Sequence, residues 1–153
     1  MNRDFVEMLS ALSAEGAEYL LVGAHALSVY GIPRSTGDMD LWIRPSAENA
    51  RRVWRALEAY GAPLADLSVA DLTEPEVVLQ FGVPPNRIDI LTTLTGLDFD
   101  SAWGRRIPSR VENLDISVLG RDDFVANKRA VGRAKDLSDL ALLEGDDQQS
   151  GRR

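Results

Sequence analysis

In the segment Gly37-Asp38-Met39-Asp40-Leu41-Trp42-Ile43, acidic and apolar side chains alternate with a period of two from Asp38 to Leu41. A strand honours that period, because successive side chains point to opposite faces. Asp38 and Asp40 then share one face, while Met39, Leu41 and Ile43 pack into a core on the other. The chain must therefore build a sheet with one face covered and a pair of acids on the opposite face. Two residues along a strand place those carboxylates roughly 6.5 Å apart at the backbone.

A third acid obeys the same logic. Arg87 to Thr92 reads as a strand, with Asp89 between Ile88 and Ile90. Beside the first strand it adds Asp89 to the acidic face. Three like charges about 6 Å apart repel by roughly 2 to 3 kcal/mol per pair at an effective dielectric of 20. Such a cluster persists if a cation offsets it or if some members are protonated. Oxygen-only ligands favour Mg²⁺ or Mn²⁺. Two such ions roughly 3.5–4 Å apart activate an attacking hydroxyl and stabilise a leaving pyrophosphate. The local alternative is that Asp38 caps a turn, Asp40 is a surface acid and Asp89 pairs with Arg87.

The remaining periodicities predict an α/β (α+β) chain, a mixed sheet with helices packed against it. Phe5, Met8, Leu9 and Leu12 recur at helical spacing, and Gly16 closes that helix. Tyr19 to Val22 reads as a buried strand, followed by a short helix from Ala24 to Tyr30. Ser46 is the expected N-cap of a long helix with Val53, Trp54, Leu57 and Tyr60 inside, ended by Gly61. Val77 to Phe81 is a further strand, and Asp98 to Trp103 a short helix. Ser109 to Glu112 and Leu114 to Leu119 form a hairpin across Asn113. Helices over Asp122 to Val131 and Leu137 to Leu143 finish the fold. Residues 1–144 are expected as a single domain, with 145–153 a disordered polar tail.

Composition removes several chemistries. There is no cysteine and only one histidine, so thiolate catalysis, zinc–sulfur sites and His-rich metal sites are excluded. No apolar run approaches the roughly 18 residues of a membrane helix, and the start resembles no secretory leader. A cytoplasmic location with no membrane partner is the default expectation. The net charge of −7 argues against coating long nucleic acid. Yet Arg105 to Lys135 holds eight basic residues against four acidic ones. That stretch is either a solvated mixed-charge surface or a basic wall facing phosphates.

Val22-Gly23-Ala24 places glycine where a buried strand passes into a helix. Free backbone N–H groups and the helix dipole there favour an anion. A phosphate cradle, an acidic pair and a third acid together are a specific combination.

That combination resembles the DNA polymerase β-like nucleotidyltransferase superfamily, with its small-residue turn, Asp-x-Asp strand and later third Asp. Leu21-Val22-Gly23-Ala24-His25-Ala26, Tyr30 through Trp42, Phe81 through Thr92, and Asn127 through Leu140 are similar to small bacterial AbiEii-like proteins. These are relatives of the nucleotidyltransferase toxins of abortive-infection systems. The likeness spans about residues 18 to 143.

The resemblance implies a nucleotidyltransferase fold in which Asp38, Asp40 and Asp89 bind metal and Gly23 and Ala24 hold the triphosphate. Lys128 would reach toward the nucleotide, and Arg34 would contact it. Lys128 shares a helix face with Phe124 and Val131, which also fits a snorkelling lysine or a partner for Asp136. Asp136 and Asp139 suit the start of a helix. Arg133 and Lys135 are further candidates for phosphate or acceptor contacts. Ala24 stands where the family carries glycine or serine. Positive φ there would strain it, whereas helical backbone would make it harmless. His25 is expected to pack, or to stack near a base, rather than to bind metal.

The expected activity is Mg²⁺- or Mn²⁺-dependent transfer of a nucleoside monophosphate from an NTP to a hydroxyl. The acceptor would be a tRNA end, as for a toxin, or a small molecule. Toxin character implies an antitoxin partner, and a minimal domain is compatible with a homodimer. The alternatives are a non-catalytic nucleotide- or partner-binding module that retains the fold, and a glycosyltransferase using Asp-x-Asp. The short chain, the Gly23 turn and Asp89 oppose the glycosyltransferase.

Overall fold

A computed structural model describes residues 1–32 and 37–150. Its centre is the acidic strand, β2 (Asp38–Ile43), flanked by β1 (Tyr19–Val22) and β4 (Arg87–Leu91). β1 runs antiparallel to β2 with Val22 opposite Asp40, and β4 runs parallel to β2 with Asp89 opposite Asp40. β3 (Val78–Phe81) lies antiparallel to β4 at one edge. β5 (Ile107–Val111) and β6 (Leu114–Val118) form a hairpin on the other side, with β6 parallel to β1. The six-stranded order is β3-β4-β2-β1-β6-β5.

The period-two pattern does what its chemistry requires. Met39, Leu41 and Ile43 are completely buried. They belong to one apolar cluster with Phe5, Met8, Leu9 and Leu12 of α1 (Arg3–Ala14) and with Ala50, Val53 and Leu57 of α3 (Ala47–Tyr60). The Asn2 side chain accepts the Phe5 N–H at the start of α1, and Ser46 accepts the Asn49 N–H at the start of α3. Gly61 ends α3 in left-handed backbone. Trp54 and Tyr60, expected inside, are partly buried and pack against the margin of the core.

Asn49 ties these layers together. It is 2% exposed, accepts the Glu18 N–H at 2.7 Å, and donates to the Glu18 and Arg44 carbonyls at 2.9 Å each. One side chain thereby satisfies backbone groups at the start of β1 and just past the end of β2.

α2 (Ala24–Val29) follows β1, and α4 (Phe99–Gly104) starts from an Asp98 cap. α5 (Arg121–Val131) and α6 (Ala134–Ser150) pack on each other at the C-terminus. α6 begins earlier than expected because Asp136 accepts the Arg133 N–H and caps that end. It also continues to Ser150, beyond the expected stop at Leu143. A 3₁₀ turn at Val69–Thr73 was not anticipated; its five residues are too few for a periodic signal. The hairpin turns at Glu112-Asn113, with Glu112 at φ 54°. Among the described residues no helix is long and apolar enough to cross a membrane.

Candidate functional site

The junction of β1 and α2 meets the acidic face at Gly23. Its backbone lies at φ 69°, ψ −154°, a region that β-carbon-bearing residues avoid. A β-carbon there would stand 2.5 Å from Asp40 Oδ2. Glycine is required for its backbone, and the room it leaves is taken by a carboxylate oxygen. Ala24 is the first residue of α2, and the positive φ falls on Gly23 alone at this turn. Alanine at 24 is therefore unstrained.

Asp40 and Asp89 are direct neighbours across β2 and β4, and Asp89 is only 7% exposed. Burial, above all, pushes the Asp40 carboxyl up to about 6. The charge of Asp89, a hydrogen bond between the two carboxyls and the charge of Asp38 act in the same direction, and Lys135 opposes them. Burial and neighbouring like charge both disfavour the ionised form of Asp40.

Arg87 supplies the positive charge in this arrangement. It lies beside Asp38 in the β2–β4 register and two residues before Asp89 on its own strand. Its Nη2 donates to Asp38 Oδ2 at 2.7 Å, and its Nε donates to Asp89 Oδ1 at 3.2 Å. Gln80 on β3 also points Nε2 at Asp89, at 3.4 Å. Among the described residues no three acid or imidazole side chains are gathered as a ready ligand set for one ion. The carboxylates on this face are Asp40 and, both held by Arg87, Asp38 and Asp89.

A pocket of about 160 Å³ opens beside Gly23 and Asp40, and its far wall is Asn127, Lys128 and Arg133. Asn127 donates to the Thr95 carbonyl at 2.9 Å and fixes α5 against the loop after β4. Gly96 permits that approach, since a β-carbon there would meet Ala130 Cβ at 2.8 Å. Lys128 is 7% exposed, with Nζ 3.2 Å from Asp136 and 3.5 Å from Asp139. The pairing with Asp136 is present, and the side chain lines the same pocket as Asp40. The bond from Arg133 holds Asp136 down to about 2; burial opposes this, and Lys128 adds to it.

His25 packs edge-on to Phe5, with ring centroids 5.3 Å apart. Burial and then the positive N-terminus lower its pKa, against a hydrogen bond to the Asp38 backbone. It packs from α2 against Phe5, next to the start of β2. Arg34 lies outside the described residues. Several arginines of the basic C-terminal stretch form ion pairs at exposed positions. Arg105 pairs with Asp123, Arg110 with Asp115, Arg129 with Glu144 and Arg133 with Asp136.

No family model, no curated protein and no solved structure matches this chain.

The three acids, Gly23 and Lys128 were candidates in the sequence, whereas the double contact of Arg87 was not among them. Only its Asp89 contact was legible, as an i, i+2 pair on one strand face. Its hold on Asp38 depends on the strand register. Thr95 and Asn127 were missed because a loop and an exposed-looking amide carry no periodic signal.

Proposed function

We propose that this chain has the nucleotidyltransferase fold and transfers a nucleoside monophosphate from an NTP to an acceptor hydroxyl. The observation that carries this is the carboxyl pair of Asp40 and Asp89, of which Asp40 packs over Gly23 and lines a pocket shared with Lys128. A buried acidic pair with one carboxyl shifted to about 6 stores repulsion that a divalent cation would relieve. The donors are oxygens alone, which suits Mg²⁺ or Mn²⁺.

In this reading Asp38, Asp40 and Asp89 hold the cation, which when bound neutralises charge on the phosphates. Gly23 and Ala24 border the triphosphate, and Lys128 or Lys135 faces it. The acceptor oxygen attacks the α-phosphorus, a new P–O bond forms, and the bond to the bridging oxygen breaks to release pyrophosphate. Asp89 takes the acceptor's proton. Catalysis is then mainly positioning and charge neutralisation. Pairing of the basic stretch favours a small acceptor, or one end of a tRNA, over a long polyanion. Toxin-like character, and the antitoxin it would imply, derive from the AbiEii-like motifs.

A non-catalytic binding module is the second reading. It is favoured by Arg87, which already compensates Asp38 and Asp89. It is weakened by Ala24, whose helical backbone leaves the turn intact.

Calorimetric titration of ATP, GTP, CTP and UTP with Mg²⁺ separates the two, on the wild type and on Asp38→Ala/Asp40→Ala. Metal-dependent binding lost in the variant, followed by label transfer from an α-phosphate-labelled NTP, is the expected result. Metal-independent binding, or binding without transfer to any acceptor in extract, would favour the module.

A further inference from the structure

Arg87 stands where a cation belongs. Its guanidinium spans two strands, donating through Nη2 to Asp38 and through Nε and Nη2 to Asp89, at 2.7, 3.2 and 3.4 Å. The side chain is still 33% exposed, and that of Asp38 is 32% exposed, so this bridge faces solvent and is free to open. The more enclosed member of the set is Asp89, at 10% for its side chain.

We propose that Arg87 is an internal counter-ion that competes with the divalent cation for Asp38 and Asp89. A polyphosphate frees the site by drawing the guanidinium onto its own oxygens. This inference rests on the nucleotidyltransferase reading above.

The chemistry is a competition for one fork. Guanidinium binds phosphate and carboxylate oxygens with the same planar geometry. With Arg87 on the acids, two of the three carboxylates are compensated and partly occupied, and a dication meets a site of reduced negative charge. A triphosphate beside Gly23 offers several anionic oxygens against one carboxylate each from Asp38 and Asp89. Once the fork has moved, all three acids turn their charge to the cation. Metal and polyphosphate thereby promote each other's binding, and by linkage the effect is mutual. Arg87 is a positioning residue in this scheme. It makes cation loading conditional on substrate and leaves the empty site electrostatically quiet. A purely structural Arg87, stapling β2 to β4, would predict only lost stability on its removal.

The test is a titration of free Mn²⁺, followed by its electron paramagnetic resonance, on the full chain. Wild type, Arg87→Gln and Arg87→Lys are compared with and without inorganic tripolyphosphate, and circular dichroism verifies folding. Without tripolyphosphate, Arg87→Gln is expected to bind Mn²⁺ roughly tenfold more tightly than wild type or better. Arg87→Lys, which keeps the charge but loses the fork, should fall between. Tripolyphosphate should tighten Mn²⁺ binding more in wild type than in Arg87→Gln. Suppose the wild type takes up Mn²⁺ and folded Arg87→Gln binds it no more tightly. The counter-ion role is then overturned, while the nucleotidyltransferase reading survives. If no variant binds Mn²⁺ under either condition, that reading falls and this inference falls with it.

Discussion

Asp40 Oδ2 lies 2.5 Å from the point where a β-carbon on residue 23 would stand. Turn and acid are thus one unit, since the carboxylate uses the space that glycine leaves. Gly23→Ala should cost about 2 to 4 kcal/mol, combining positive-φ strain with a steric clash. Denaturant unfolding of Gly23→Ala, Asp40→Ala and the double variant would check this. Truncating Asp40 should recover the steric part, so the two effects should fall short of additivity. Strict additivity would separate the turn from the acid.

Asp40 carries a pH signature of opposite sign to most structural acids. Its folded pKa, about 6, lies above the ordinary value. Its neutral form is therefore the one the fold prefers. That contribution is full below about pH 4 and is lost as pH rises through about 6. In chelator, Asp40→Asn should stabilise the protein at pH 8 by on the order of 1 to 2 kcal/mol. Thermal melts should show the gain shrinking toward zero at pH 4. A gain independent of pH would mean that Asp40 is not the titrating group.

Asp136 behaves in the opposite way. Held down to about 2, chiefly by Arg133, its ionised form stabilises the fold. That stability is present above about pH 4 and is lost as pH falls through about 2. Asp136→Asn should flatten the acid limb of the stability profile. At neutral pH it should cost about 3 kcal/mol, because Lys128 is left buried with only Asp139 for compensation. An unchanged acid limb in the variant would assign that loss to other carboxylates.

Asn49 provides a test away from the site. Replacing it with Ala strips partners from the Glu18 N–H and from two carbonyls. The expected cost is about 2 to 4 kcal/mol, since each group loses a buried hydrogen bond. Urea unfolding at neutral pH measures it. A change below about 0.5 kcal/mol would show that water replaces the amide there.

Much of this was legible from residue order. The alternation from Asp38 to Leu41 suits a strand that buries Met39 and Leu41 on one face, so its strand and inner face follow from local chemistry. Ser46 and Gly61 mark the ends of α3 because a hydroxyl cap and a left-handed glycine are local devices. The 3₁₀ turn and the full extent of α6 were not legible, because neither carries a sustained periodic stretch with a strong stop.

Asp38, Asp40, Asp89, Gly23 and Lys128 were determined as candidates by the sequence itself, since side-chain alternation and turn chemistry act within a few residues. Which acids meet was decided only by the tertiary structure. Parallel pairing of β2 with β4 sets Asp40 against Asp89 and Asp38 against Arg87. A slip of one residue would turn Asp89 to the opposite face. The burial that raises Asp40, and the guanidinium bridge between Asp38 and Asp89, exist only in that register. Charge interactions act through space, and strands more than forty residues apart in the chain become neighbours only when the sheet assembles.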